Sequence, residues 1–546
     1  MKRIYTVLAL AALMDATACA DLDEHPVTGV ASDYFQTAAG ANAAVTGTYS
    51  QLRAFYGGEA EVLMRMLGTD SWEKGEQLTA NAFWNDYTAQ LTPSIGNIGG
   101  VDALLGGWQA AYSAVNAANT AIKAIGDAQG IDATTKNTRL AEARFLRALF
   151  YLNLVRTWGA VQLSLEPTVG VVTKATRTPT AEIYATAIIP DLEFAITNLP
   201  LRQTDLYRAT KGAAQTLLAE VYLTRAASGD FDKARDLTTA VITSGTYRLN
   251  PSYRSLFCAG ENADGACDYA PAQKTDQEIV FSVQFVGDGG TDAFGNNLHL
   301  YWVMAYDLGG VATPTLGRTR AYGRPFRRAR PTKHLLSLWN RATDSRFDAT
   351  FQTLWRQPNG DTAIYFPGTA TATQVGQGRK YGENLYTGLL FPTLKKWLDQ
   401  TRADANTFPG HRDRTLWRFA EVYLLRAEAN IRAGRASEAL ADINVLRTRA
   451  AKAGADNSVS GAELAAFNAS PIDFLLDERE RELTGEESRW FTLARMGTNV
   501  FLARIRAFNP TGAPNVKDFH LLRPIPQTQI DRTEGGAQAF PQNTGY

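Results

Sequence analysis

Histidine and cysteine are scarce in this chain, five and three among 546 residues. The histidines (His25, His299, His334, His411 and His520) show no HExxH or other metal-ligand spacing, so no metal site is expected. No GxSxG nucleophile elbow occurs either. The HRD at residues 411–413 lacks the glycine-rich loop before it and the DFG after it that kinase chemistry requires. An excess charge of one sign is also missing, since Lys+Arg and Asp+Glu are both 55. No long-range field therefore draws the chain toward nucleic acid or anionic lipid. No apolar run reaches the roughly 20 residues that span a bilayer. These gaps argue against an enzyme, although a glycosidase needs only two carboxylates across a cleft, which the sequence neither displays nor excludes. With 45% hydrophobic residues, the chain has material for a large core.

What is present begins at the N-terminus. Lys2 and Arg3 precede an apolar run over residues 4–14, and small residues lead on to Cys19, the layout of an export signal. Ala18 beside Cys19 suits a lipoprotein signal, in which residues 1–18 are removed and Cys19 is acylated. Ala16 departs from the leucine common in that motif, and a plain secretory signal is the alternative. In an oxidising compartment Cys258 and Cys267, at the ends of CAGENADGAC, are expected to pair. Closing that loop contributes roughly 2–3 kcal/mol.

An internal repeat follows. AEVYLTRA (219–226) and AEVYLLRA (420–427) agree at seven of eight positions, and AEARFLRA (141–148) shares five of eight with the latter. After two of the copies a glycine, Gly229 or Gly434, leads into a second helical segment, with Asp230 and Ser437 as expected N-caps. In the last segment Ala439, Ile443, Leu446 and Ala450 fall on one face. Paired helices with recurring small residues predict tetratricopeptide-like packing. The glutamate and arginine of each copy read as structural ion pairs. Residues 250–410 differ, being rich in Gly, Thr, Pro and aromatics, with short β-like runs such as EIVFSVQF (278–285).

The C-terminal third carries the most specific signal. LLDERERELTGEESRWFTLARMG (475–497) contains Glu478, Arg479, Glu482, Leu483, Glu486, Arg489, Trp490, Phe491, Leu493 and Arg495 in fixed order. Pro524, Ile525 and Pro526 follow, and the chain closes on Gln542, Asn543, Gly545 and Tyr546. Together these resemble the closing signature of the SusD/RagB family of lipid-anchored nutrient-binding proteins. WQAAYSAVNAANTAI (108–122), FLRALFYLNLVRTWGAVQL (145–163) and DLDEHPVTGVASDYFQT (21–37) are similar to further family segments. The resemblance implies a mainly α fold, a tetratricopeptide-like helical scaffold with long loops and a few short β-strands. It implies one domain over 19–546, divided into a helical part (19–249), a variable loop-rich insertion (250–410) and a helical part with the family tail (411–546). It also implies surface exposure at the outer membrane, a SusC-like TonB-dependent transporter as partner and an oligosaccharide as ligand. At the ERERE run (478–482), Arg481 and the preceding Asp477 read as an i,i+4 pair on a solvated or ion-paired face.

A glycan platform needs aromatic faces for sugar C–H surfaces and polar neighbours for hydroxyls. Two segments offer both. Residues 68–93 supply Asp70, Trp72, Trp84, Asn85 and Tyr87, and residues 295–310 supply Asn297, Tyr301, Trp302 and Tyr306. If the second segment is a strand, Tyr301 and Trp302 point to opposite sides. Trp108, Trp158, Trp417 and Trp490 read as core. GDGGTDAFGNN (287–297) has oxygen ligands suited to a structural Ca²⁺ but not the EF-hand order, so a turn without cofactor is the better reading. The alternatives to a glycan are a peptide ligand in the same uptake system, or a helical-repeat scaffold that binds a protein partner through an apolar concave face.

Overall fold

The computed structural model describes residues 32–77, 83–88, 103–258, 260–261, 267–268, 276–285, 295–308, 316–360, 362–366, 386–486 and 488–546. Residues 1–18, Cys19 and most of the expected turn at 287–297 lie outside them. About 53% of the described residues are helical. The backbone of the fold is a chain of packed helices: α1 (Ala38–Tyr56), α2 (Ala103–Asp127), α3 (Ala133–Trp158), α4 (Ile189–Asn198), α5 (Lys211–Arg225), α6 (Asp230–Thr243), α7 (Phe419–Arg432) and α8 (Ala436–Ala450). Each packs against the next. Local chemistry starts them: Thr37, Asp132 and Thr210 accept hydrogen bonds from the N–H groups of Gly40, Thr135 and Ala213 at 3.0–3.2 Å. Ala213, Ala214, Ala219, Ala420, Ala427 and Ala429 are fully buried, and their small side chains let neighbouring helices approach closely.

The repeated octapeptide now has a physical meaning. Its arginine reaches an aspartate on the helix that follows. Arg147 meets Asp191 of α4 at 2.7 Å, Arg225 meets Asp230 of α6 at 2.6 Å, and Arg426 meets Asp442 of α8 at 2.6 Å. Its glutamate is held from elsewhere in the array, Glu142 by Arg208 (2.8 Å), Glu220 by Arg156 (2.6 Å) and Glu421 by Arg479 (2.9 Å). The expected structural ion pairs are therefore made. The expected N-caps shift: Gly229, at φ 78°, occupies the cap before α6, while Asp230 is its first helical residue. Arg435 precedes α8, placing Ser437 inside the helix. Ala439, Ile443, Leu446 and Ala450 are all buried on one face as expected.

The insertion leaves the array after α6 and returns at α7. Its short strands pair antiparallel: β2 (Ile279–Val283) with β4 (Arg414–Arg418), and β3 (Ala329–Pro331) with β1 (Trp72–Lys74), which lies earlier in the chain between α1 and α2. Val303, Met304, Tyr306, Trp355, Ile364 and Phe391 form a separate small core within it. Cys258 is disulfide-bonded. The side chains of Cys267 and Cys19 lie outside the described residues, although the backbone of Cys267 pairs with Glu261 in a short hairpin.

Helix α9 (Pro471–Leu483) has the ion-paired character expected of it but corrects the expected pairing. Its charges are not solvated: Glu478, Arg479, Glu480 and Glu482 are at most 1% exposed. Arg346 binds Glu478 at 2.8 Å and Glu482 at 3.0 Å, Arg418 binds Glu482 and Glu486, and Arg447 binds Glu478 at 2.6 Å. Asp477 pairs with Arg504 on α10 (Thr498–Phe508), not with Arg481. The tail signature is likewise a fastening. The Gln542 amide exchanges two hydrogen bonds with the backbone of Ile525, and Asn543 Nδ2 donates to Trp158 O and Arg523 O. Gly159 (φ 74°) and Gly545 (φ 99°) turn the chain where a Cβ would strike Leu522 and Phe519.

Candidate functional site

The aromatic residues expected to form a glycan platform are in the core. Trp72 is 0% exposed, Trp84 and Trp302 1%, Tyr87 and Tyr301 3%, and Tyr306 0%. Trp72 and Trp302 pack ring against ring with centroids 4.6 Å apart. Tyr87 donates to Gly68 O at 2.8 Å and Tyr306 to Gly323 O at 2.6 Å. Asp70 is buried between Arg489 and Arg504, each 2.8 Å away. Burial pushes its carboxyl up, but the two guanidiniums outweigh this and hold it well below the usual range. Asn85 is buried too, accepting from Lys74 N and Asn509 Nδ2. Residues 298–301 form a helical turn, not a strand, so strand alternation between Tyr301 and Trp302 does not apply, and Asn297 precedes that turn half-buried. The physical reason is area: each large ring removes roughly 150–250 Å² from water when packed, and the core provides partners for it. Trp108, Trp158, Trp417 and Trp490 are buried as expected.

The first expected segment still contributes to a cleft, through a different and itself buried residue that holds the cleft wall. Pairing of β1 with β3 sets Glu73 opposite Arg330, and Arg330 Nη2 lies 3.2 Å from Glu73 Oε1. Tyr386 donates to Glu73 Oε1 at 3.1 Å and to Pro331 O, while the Arg330 guanidinium lies 4.6 Å from the Tyr386 ring centroid. Facing them, His334 stacks on Phe508 with centroids 3.6 Å apart and planes at 13°. The cleft between these walls encloses ≈ 580 Å³ and is also lined by Lys333, Ser337 and Pro510.

The cleft is braced from beneath. His334 Nε2 lies 3.0 Å from Asp477 Oδ1, and Arg504 bridges Asp477 to the buried Asp70. Burial pushes the Asp477 carboxyl up, but the hydrogen bond with His334 and the charge of Arg504 prevail and bring it down to about 2. Burial and the Glu73 charge push the Tyr386 phenol well above its ordinary value, so it stays protonated as a donor. Half-buried rings beside Arg330, Lys333 and Glu73 suit a ligand with one apolar face and a hydroxylated rim. Among the described residues no group of His, Cys, Asp and Glu side chains could hold a metal ion. The sequence offered one usable signal for this site: in a strand, the residue after an inward Trp72 faces the other way. Arg330 and His334 share one short segment, Tyr386 and Phe508 come from two others, and none of them carries a motif.

Residues 332–546 match the family model described as SusD family, and residues 52–223 match the model described as starch-binding associating with outer membrane. SusD-like protein P2 of Formosa agariphila is 27% identical, over 100% of both chains. Starch-binding protein SusD of Bacteroides thetaiotaomicron is 28% identical over 76% of this chain and 74% of its own. Among solved structures, a SusD homolog from Bacteroides thetaiotaomicron has a TM-score of 0.73 at 21% identity, covering 95% of this chain and 99% of the other. A laminarin binding SusD-like protein has a TM-score of 0.68 at 22% identity, covering 94% and 100%. At these identities the structures speak for the fold, a mainly α scaffold of the SusD type. Matched at both ends by family models and aligned from end to end with a relative, the chain belongs to the SusD/RagB family.

Proposed function

We propose that this protein binds an oligosaccharide or polysaccharide at the cell surface and presents it for uptake. The observation that carries this reading is family membership along the whole chain, beside relatives named for binding starch and laminarin. The cleft of Tyr386, Phe508, His334 and Arg330 is our candidate contact surface, in place of the buried tryptophans. Acylation at Cys19 would hold the protein at the outer membrane, and a TonB-dependent transporter would receive the ligand. No helix among the described residues is long and apolar enough to cross a membrane, which is compatible with a lipid anchor. Binding is the whole task in this reading; no bond is made or broken.

The test is affinity electrophoresis through gels containing starch, laminarin or other polysaccharides. Tyr386→Ala and Lys333→Ala are expected to weaken binding about tenfold each, equivalent to ~1.4 kcal/mol, without lowering the urea midpoint by more than a small fraction. Equal retention of both variants and the wild type would remove the cleft from the reading. Retention by no polysaccharide would move the ligand to the peptide class.

A further inference from the structure

A second cavity, ≈ 680 Å³, shares no lining residue with the cleft. It starts from one stripe of α2, where Gln109, Tyr112, Ser113, Asn116 and Asn119 recur at helical spacing. The chain leaving α3 crosses this stripe as a strap. Asn119 Nδ2 donates to Ser164 O (2.9 Å) and Glu166 O (3.0 Å), and Asn116 Oδ1 accepts from Thr168 N at 2.8 Å. Tyr112 donates to Gln162 O at 3.0 Å, Tyr151 to Ser164 O at 2.7 Å, and Arg147 to Leu165 O at 3.2 Å. This wall is therefore fixed before any ligand arrives.

Tyr112, half-buried, provides the accessible aromatic part of the lining, and the buried Trp108 backs it with ring centroids 5.1 Å apart. Trp108 Nε1 donates to Gln529 Oε1 at 3.2 Å, which ties the pocket to its third wall, residues 528–533. The side chains of Gln109, Ser113, Gln162 and Thr528 line the cavity and bond to no other described group. They are neutral amides and hydroxyls. The charged lining residues, Glu166 and Arg532, have opposite signs. An anion or cation would meet no net field here, and Val115, Pro167, Val169, Val172 and Ala175 add apolar lining beside the amides and hydroxyls. A purely apolar ligand would leave those polar groups unpaired, whereas one that is uncharged, hydroxyl-rich and apolar on its ring faces matches both kinds of lining.

We infer that this pocket is a second saccharide site, for a short uncharged oligosaccharide. The inference rests on reading the protein as a glycan binder, and it adds a separate point of attachment. Two points on one polymer raise retention through effective concentration without any new contact at the first.

The experiment titrates the whole protein with maltotriose and with laminaritriose by calorimetry and by saturation-transfer NMR. It compares wild type, Ser113→Trp, Gln162→Ala and Tyr386→Ala. Ser113 is exposed on α2, so its replacement fills the pocket from a surface position, and Gln162→Ala tests the same site without added bulk. The expected result is a class of binding, for at least one trisaccharide, that weakens tenfold or more in Ser113→Trp and Gln162→Ala but survives Tyr386→Ala. Binding abolished by Tyr386→Ala and indifferent to the other two variants would overturn the second site and leave the proposed function standing. Failure of both trisaccharides to bind the wild type would also overturn it. Absence of retention on every polysaccharide as well would overturn the proposed function itself.

Discussion

Trp72→Ala is expected to destabilise the fold by about 3–5 kcal/mol, not to remove a ligand contact from a folded protein. The indole is fully buried against Trp302, so truncation opens a cavity that the braced surroundings cannot collapse into. β1 sits directly on that side chain, and through its pairing with β3 it positions Glu73 and Arg330. Urea denaturation should show a lower midpoint, and glycan binding should fall only as the folded population falls. Trp302→Ala should behave alike, and the double variant should lose less than the two losses combined, because both deletions open one space. A Trp72→Ala protein with the wild-type midpoint and tenfold weaker glycan binding would return that ring to the surface and refute this picture.

Glu482→Ala should be comparably severe. Its carboxylate meets Arg346 at 3.0 Å, Arg418 at 2.5 Å and also Arg449, all in a region closed to water. Removing the anion takes one carboxylate from each of three guanidiniums, which keep Asp344, Glu478, Glu278 and Glu486 among them, and breaking a buried pair costs about 3–5 kcal/mol. Burial pushes the Glu482 carboxyl up, but Arg449, Arg418 and Arg346 together hold it well below the usual range. Glu428 is brought down to about 2, burial again opposing and Arg495 prevailing. Such groups bind fewer protons folded than unfolded near pH 4, so the stability they supply is complete above the unfolded value. It is lost as the pH falls from about 5 toward 2. The urea midpoint should therefore drop steeply over that window, and Glu482→Gln should flatten the acid limb while lowering the plateau. A midpoint independent of pH between 5 and 3 would contradict the arrangement.

The helices were legible because their information is local. Alanine and leucine composition, the octapeptide with its glutamate and arginine, and the face of Ala439, Ile443, Leu446 and Ala450 all lie within a few turns of one helix. The same holds for the short strand at 279–283. The site was not legible for the opposite reason. Residues 68–93 and 295–310 have the glycine and polar content of surface loops, yet Trp72 and Trp302 are covered by each other and by elements distant in sequence. Asp70 looked like a free polar loop residue, and its partner Arg489 stands 419 positions away. The ERERE run signalled ion pairing but not its depth, because charge alternation reads alike on a wet helix face and in a closed arginine–glutamate cluster.

The contact of α6 with α7 carries a consequence in time. These helices are neighbours in the finished array, yet a ribosome makes the roughly 175 residues between them only in about 10–35 s, at ~5–20 residues per second. The tail residues that fasten Trp158 are the last of all to be made. Until that second half is available α6 has an uncovered face, and the chain is half an array with an open end.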